Sequence, residues 1–283
     1  MRAYLELTKP RITWLILMST AVGYFFGARG NWSLSTILHT IVGTTLIASG
    51  TAALNQWYEW EADGKMRRTM GRPIPSGRIS RTRALLFAIL LSIAGFLELA
   101  LAVNLLTGML GLFTLTTYLF LYTPLKSRSR HATTVGAIPG AMPPLIGYAA
   151  ASGVLTAEAW ALYAILFVWQ FPHFYAIAWM YREDYSRAGI RMLPVVEPDG
   201  VSTARQILWT SLLLIPVSLA PAFLDMAGDI YAAGAVIAGV VFLYFGLGVM
   251  KDRTMVGARS VLLASVIYLP VLYGLMLIDR PGS

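Results

Sequence analysis

The chain has 283 residues, 57% hydrophobic and only 13% charged, with mean hydropathy +0.64, a formal charge of +8 and no cysteine. Soluble domains carry about 25% charged residues, so this composition excludes an ordinary soluble enzyme or a disordered tail, and the missing cysteines exclude thiolate catalysis, thiolate metal sites and disulfides. A surplus of basic residues points to nucleic acid only when they are spread over a surface, and here they are not.

The charges fall in blocks. No Asp, Glu, Lys or Arg occurs in residues 31–58, 132–157, 159–181, 206–224 or 230–250, and 84–125 holds only Glu98. About 20 apolar residues suffice for a helix to cross ~30 Å of hydrocarbon. The blocks predict nine crossings, at 12–28, 34–56, 84–103, 106–123, 134–152, 159–180, 206–224, 231–250 and 259–278, with residues 104–108 splitting the long third block. The first segment is too long for a cleavable signal and lacks a small-residue cleavage site. The expected fold is an all-α polytopic membrane bundle around a central cavity open toward the cytoplasm. One domain spans 1–283, as two approximate four-helix halves (1–130 and 131–250) and a last helix. Twenty of the 22 Lys and Arg fall in the N-terminus and in alternate connections, leaving Arg29 and Arg280 for the other face. The positive-inside rule then puts the N-terminus in the cytoplasm and the C-terminus outside. The +8 is largely topology, and no nucleic-acid partner is expected.

In chain order, Lys9 and Arg11 come first, cytoplasmic cations that topology alone explains. His39 lies in the second span. Where that span ends, Asn55, Glu59 and Asp63 are spaced by four and would line one face of a helix. Oxygen ligands on one face suit a hard cation such as Mg²⁺, which takes one or two carboxylates together with substrate phosphates. Arg67, Arg68, Arg72 and Arg78 follow at once, and carboxylates backed by guanidiniums read as a metal–diphosphate site. The alternative is a solvated helix end, which the polar Asn55 at the membrane edge argues against. Tyr118, Tyr122 and Lys126 close the fourth span, a lysine within reach of a diphosphate or a plain interfacial belt. His131 belongs to a basic loop. Pro139, Pro143 and Pro144 with Gly136, Gly140 and Gly147 make the fifth span a broken or closely packed helix. After the sixth span the acid-then-base pattern returns as Pro172-His173-Phe174, Arg182-Glu183-Asp184 and Arg191 to Pro194. An approximate repeat would bring the two acidic loops together.

The run Asn55-x₃-Glu59-x₃-Asp63 with Lys65, Arg68-Thr69, Arg72-Pro73 and Ser76-Gly77-Arg78 resembles the aspartate-rich motif of the UbiA-type intramembrane prenyltransferases. The segments 7–11, 136–147, 169–174 and 184–196 are most similar to the branch of that family that farnesylates protohaem IX. This resemblance implies a Mg-dependent transferase, with Mn²⁺ as a substitute, in a bacterial or archaeal plasma membrane. It would move a farnesyl group from farnesyl diphosphate to a vinyl group of haem B, with addition of water, giving haem O and diphosphate. Haem B is then a substrate rather than a prosthetic group, and a downstream haem-modifying membrane enzyme is an expected partner beside the lipid bilayer.

Carried over residue by residue, Asn55, Glu59, Asp63 and Asp184 would hold the metal, and Arg68, Arg72, Lys126, Arg182 and Arg191 the diphosphate. Trp57, Tyr58, Trp60, Tyr118 and Tyr122 would flank the allylic cation, and His173, Lys9 and Arg11 would meet the porphyrin or the diphosphate. Two departures stand out. Glu59 replaces the more usual aspartate, and His173 stands where quinone-type relatives have the leading acid of their second motif. A relative acting on a quinone precursor or a chlorin is the nearest alternative. A secondary transporter is the more distant one, disfavoured because the acids gather at one membrane face rather than at the midplane.

Overall fold

The computed structural model describes residues 1–281, and among them the chain is helical with no strand. A short α1 (Arg2–Leu7) leads into α2 (Pro10–Ala28), α3 (Leu34–Tyr58), the small α4 (Trp60–Lys65) and α5 (Arg81–Leu97). Next come α6 (Leu105–Thr116), α7 (Thr123–Leu125), α8 (Ala132–Gly140), α9 (Met142–Ser152), α10 (Ala157–Met180), α11 (Arg182–Arg187) and α12 (Leu193–Val196). The chain ends with α13 (Val201–Phe223), α14 (Asp229–Asp252) and α15 (Met255–Ile278). Wider π-helical turns extend α5 over Glu98–Val103 and α6 over Thr117–Tyr122.

Among the described residues eight helices are long and apolar enough to cross a membrane: α2, α3, extended α5, extended α6, α10, α13, α14 and α15. They coincide with eight of the nine expected crossings. The segment at 134–152 is the pair α8 and α9, broken at Ala141. Pro139 lies inside α8, and Pro143 and Pro144 open α9, so several backbone donors are missing from the ladder around the break. The split of the long third block is sharper than a five-residue loop. Asn104 alone interrupts it, accepting from Thr107 N at 2.9 Å as the α6 cap and donating to the Ala149 carbonyl at 2.9 Å.

Small residues set how closely the helices pack. A Cβ on Gly147 of α9 would lie 1.8 Å from the Thr20 carbonyl oxygen of α2, and one on Gly23 of α2 would lie 2.1 Å from that of Pro144. Such contacts let two backbones meet directly, as membrane helices do without a hydrophobic force between them. A large core joins α10, α13, α14 and α15 to α2, α8 and α9, with Leu162, Ile165, Leu214, Tyr231, Phe242 and Leu272 fully buried. A second core around Ile47, Ala53, Ala88 and Leu99 joins α3 to α5. Leu90, Ile93, Ile237, Val241 and Ile267 are exposed on the spans, an arrangement suited to a lipid surround. Glu98 finds His39 at 2.7 Å, so the one acid of the 84–125 block is paired within the bundle. On the face carrying few basic residues, Arg29 pairs with Glu158 at 2.7 Å and lines a cavity of about 340 Å³ with Tyr148 and Arg280.

Candidate active site

Asn55 lies in the last turn of α3, Glu59 at the junction with α4, and Asp63 inside α4. The expected continuous helix is interrupted at Glu59. The four-residue register nonetheless survives, since Glu59 N donates to Asn55 O at 2.9 Å and Asp63 N to Glu59 O at 2.8 Å. Asn55 and Asp63 are almost fully buried.

Each carboxylate has a basic partner. Lys126 Nζ donates to Glu59 at 2.9–3.0 Å, and both side chains are only 12% exposed. Asn55 Nδ2 donates to Glu59 Oε2 at 2.8 Å and to Thr123 Oγ1 at 3.3 Å, while Lys9 Nζ donates to Asn55 Oδ1 at 3.2 Å. Arg72 Nη1 reaches both oxygens of Asp63, at 2.8 and 2.7 Å. Asp184 accepts from the backbone N–H groups of Arg67 and Arg68, at 3.2 and 3.3 Å, and from the Arg187 guanidinium. Those two N–H groups follow α4 directly, so the second acidic motif is clamped to the first. Arg191 N donates to Lys126 O at 2.7 Å and joins the segment after Asp184 to the end of the fourth span.

The electrostatics follow from this pairing. Burial opposes the charge on Glu59, but Lys126, Lys9 and the Asn55 amide outweigh it and hold its carboxyl below the usual range. Burial likewise opposes the charge on Lys126, and Glu59 reverses the balance and raises it. At Asp184 burial is outweighed by Arg187 and the two backbone donors, which lower its pKa. Lys9 goes the other way: burial, with Arg72 and Lys126 nearby, lowers it to about 7 against the pull of Glu59 and Asp63.

The remaining expected residues divide into two groups. Tyr122 and Tyr118 stand at the site, their ring centroids 4.5 and 5.9 Å from Lys126 Nζ. Arg68 stacks over Tyr181 at 4.7 Å and contributes through its backbone to Asp184. Arg191 touches the site by its main chain, and its side chain is exposed. Arg182 is turned away, its guanidinium on the Trp179 carbonyl, Trp179 ring and Met255 sulfur. Trp57 and Trp60 pack beneath Arg81, and Tyr58 and Arg11 are exposed. His173 faces α15, where Nδ1 meets Ser265 Oγ at 2.8 Å and the ring stacks on Trp169. Among the described residues none of these last six hydrogen-bonds to Glu59, Asp63 or Asp184. Arg78 clamps Glu6 of α1 instead of a site acid.

Sequence reasoning overlooked Arg187, Thr123 and Tyr185, the last of which accepts from the Arg68 guanidinium at 3.4 Å. Arg187 lies three residues after Asp184, a helical spacing that was available as a signal; Thr123, 68 residues from Asn55, offered none. Among the described residues no three of His, Asp or Glu converge on one point. The donor chemistry still fits Mg²⁺, which is satisfied by one or two carboxylates and completes its shell with phosphate and water. Glu59, Asp63 and Asp184 are hard oxygen donors, each paired with a cation that can transfer to a phosphate.

A family model described as the UbiA prenyltransferase family matches residues 16–269. The chain is 65% identical to a protoheme IX farnesyltransferase of Solibacter usitatus, covering all of both chains. It is 44% identical to another from Salinibacter ruber, over 98% of each. Its fold matches a solved digeranylgeranylglyceryl phosphate synthase with TM-score 0.82 at 18% identity, over 98% of this chain and 97% of that one. A UbiA homolog from Archaeoglobus fulgidus, solved with DMAPP and Mg²⁺, matches with TM-score 0.70 at 18% identity, over 97% of this chain and 99% of that one. The clamped acidic motifs, the helical membrane fold and a family match across most of the sequence lead to one assignment: the chain belongs to the UbiA prenyltransferase family.

Proposed function

We propose that the protein farnesylates protohaem IX, transferring the C15 group of farnesyl diphosphate to a haem B vinyl carbon to give haem O. The observation that carries the donor half is the set of three ion pairs, Glu59–Lys126, Asp63–Arg72 and Asp184–Arg187, each joining a metal-type ligand to a phosphate-type cation. Full-length similarity to proteins named protoheme IX farnesyltransferase supports the acceptor. The concentration of basic residues in alternate loops supports a site on the cytoplasmic face, with α8 and α9 together as the remaining, broken crossing.

Asn55, Glu59, Asp63 and Asp184 would hold Mg²⁺, which when bound neutralises the diphosphate and makes it a better leaving group. As the acids change partner, Lys126 and Arg72 are freed to donate to phosphate oxygens, and their charge stabilises the oxygen that takes the electron pair of the breaking C–O bond. Tyr118 and Tyr122 present ring faces beside Lys126, suited to shielding the allylic cation left behind. The vinyl π electrons then form the new C–C bond. Water adds to the resulting cation and loses a proton, so that farnesyl diphosphate, haem B and water yield haem O, diphosphate and a proton.

Membranes containing the protein, given haem B, farnesyl diphosphate and Mg²⁺, are expected to form the prenylated, hydrated haem by mass spectrometry. Absence of that product together with prenylation of an aromatic acid or a chlorin would overturn the acceptor assignment.

A further inference from the structure

Beside the carboxylate cluster lies a second cavity, of about 180 Å³, that the reading above leaves without a role. Its rim carries Arg130, His131, Ser202 and Gln206, and Tyr175 and Leu193 supply an apolar floor. We propose that this cavity binds a carboxylate arm of the tetrapyrrole acceptor, with Arg130 as its counter-ion. The inference rests on the haem reading and adds the group that positions the acceptor.

Placement is the first argument. The connection that begins at Lys126, in contact with Glu59, ends four and five residues later at Arg130 and His131 on the cavity rim. A second link runs from Arg191, whose N–H donates to the Lys126 carbonyl, to Leu193 on the floor. Two residues of chain span at most ~7 Å. The cavity therefore lies within reach of a molecule whose reacting edge is at the diphosphate site.

Size and chemistry give the second. Pockets that enclose a whole drug-sized ligand run to roughly 300–1,000 Å³, so this one suits an arm and not a macrocycle. The buried Leu193 side chain and Tyr175 ring, beside a guanidinium held by the Glu197 carboxylate and an imidazole, a hydroxyl and an amide, match a two-carbon chain ending in a carboxylate that takes the place of Glu197. Haem B carries two such chains.

The third is an exchangeable partner. Arg130 Nη1 holds Glu197 Oε1 at 2.6 Å, and Glu197 also lines the cavity. With the arginine side chain 51% exposed and the glutamate 28%, this pair is the weakly held kind that an incoming carboxylate can displace. Thr133 and Thr203, on the first turns of α8 and α13 beside the rim residues, are buried hydroxyls with no hydrogen-bond partner. This assignment moves the acceptor's carboxylate away from Lys9, which faces Asn55, and from Arg11.

The test uses the full-length protein in membranes with saturating farnesyl diphosphate, comparing haem B with its dimethyl ester, in which both carboxylates are masked. Arg130→Gln is expected to raise the KM for haem B about tenfold, the scale of one lost charge-assisted hydrogen bond. The KM for farnesyl diphosphate should not move, and on the ester the variant should match the unaltered protein. Glu197→Gln, which releases Arg130, should lower the KM for haem B. An equal Arg130→Gln effect on acid and ester, or no effect on haem B, would overturn the assignment. Should Arg130→Gln fold poorly by its thermal midpoint, the Glu197→Gln comparison decides alone, a raised or unchanged KM for haem B overturning the proposal. Unaltered protein that makes no product from haem B sinks the haem reading itself, an outcome distinct from a variant that fails to discriminate.

Discussion

Lys126→Met tests whether the site is held together by charge. Lys126 and Glu59 are 2.9 Å apart and each 12% exposed, so at an effective dielectric of about 20 their attraction is roughly 6 kcal/mol before desolvation is subtracted. Removing the ammonium leaves a buried carboxylate with only the Asn55 amide as a close donor, and an uncompensated buried charge costs about 3–5 kcal/mol. We take the lower end, about 3 kcal/mol, because Lys9 lies one residue further out and can lend part of its charge. In detergent with EDTA, thermal unfolding should fall by on the order of 6–10 °C. Glu59→Gln in the same chain removes the stranded charge, so the double variant should recover most of the loss. Millimolar Mg²⁺ should raise the midpoint of Lys126→Met and leave that of the double variant unchanged. A single variant with an unaltered midpoint, or a double variant as unstable as the single one, would refute the charge pairing as the source of local stability.

Other expectations are checked more directly. Asp63→Asn and Asp184→Asn should each lower turnover by at least about hundredfold, measured as haem O formed per minute, because each removes a proposed metal ligand and strands its arginine. Lys9 has a folded pKa near 7 against an ordinary 10.5, so between those values the unfolded chain binds the extra proton and stability should rise with pH. With EDTA present, the thermal midpoint of the unaltered protein should therefore climb more from pH 7 to 9 than that of Lys9→Met; parallel profiles would refute it. Gly147→Ala drives a methyl group into the Thr20 carbonyl and should cost about 2 kcal/mol or more. Gly248→Ala, whose added carbon meets nothing within 4 Å, should be neutral or stabilise by about 0.5–1 kcal/mol in the same melting assay.

What was legible in the sequence depended on how local the physics is. Crossings could be placed because hydrocarbon thickness sets their length, and Asn55, Glu59 and Asp63 could be grouped because helical spacing survives even the break at Glu59. The long-range choices were not legible. Lys, Arg and membrane topology are correlated so strongly that Arg182, which turns to Trp179 and Met255, carries no mark in the sequence that sets it apart from a site cation. In the sequence Lys9 is either a topological cation or a contact for porphyrin or diphosphate; a left-handed backbone at that residue, φ 48°, turns the chain between α1 and α2 and sends the side chain to Asn55. The aromatic candidates separated by helix face. Tyr118 and Tyr122, one turn apart, share Lys126, whereas Trp57 and Trp60 lie on the side that packs against Arg81. His173, beside the motif in sequence, was claimed by α15, because only tertiary packing decides which neighbour a helix residue meets.

The pairing of every site acid with a lysine or arginine has one more consequence, for how the reaction ends. In the proposed site diphosphate would compete for Lys126 and Arg72 with carboxylates tethered to the same protein, so Glu59 and Asp63 would act as built-in rivals of the product. A tethered rival is always present at high effective concentration. It caps how tightly an anion can be retained and gives the spent site a closed resting state to return to, so release of the leaving group needs no separate machinery to push it out.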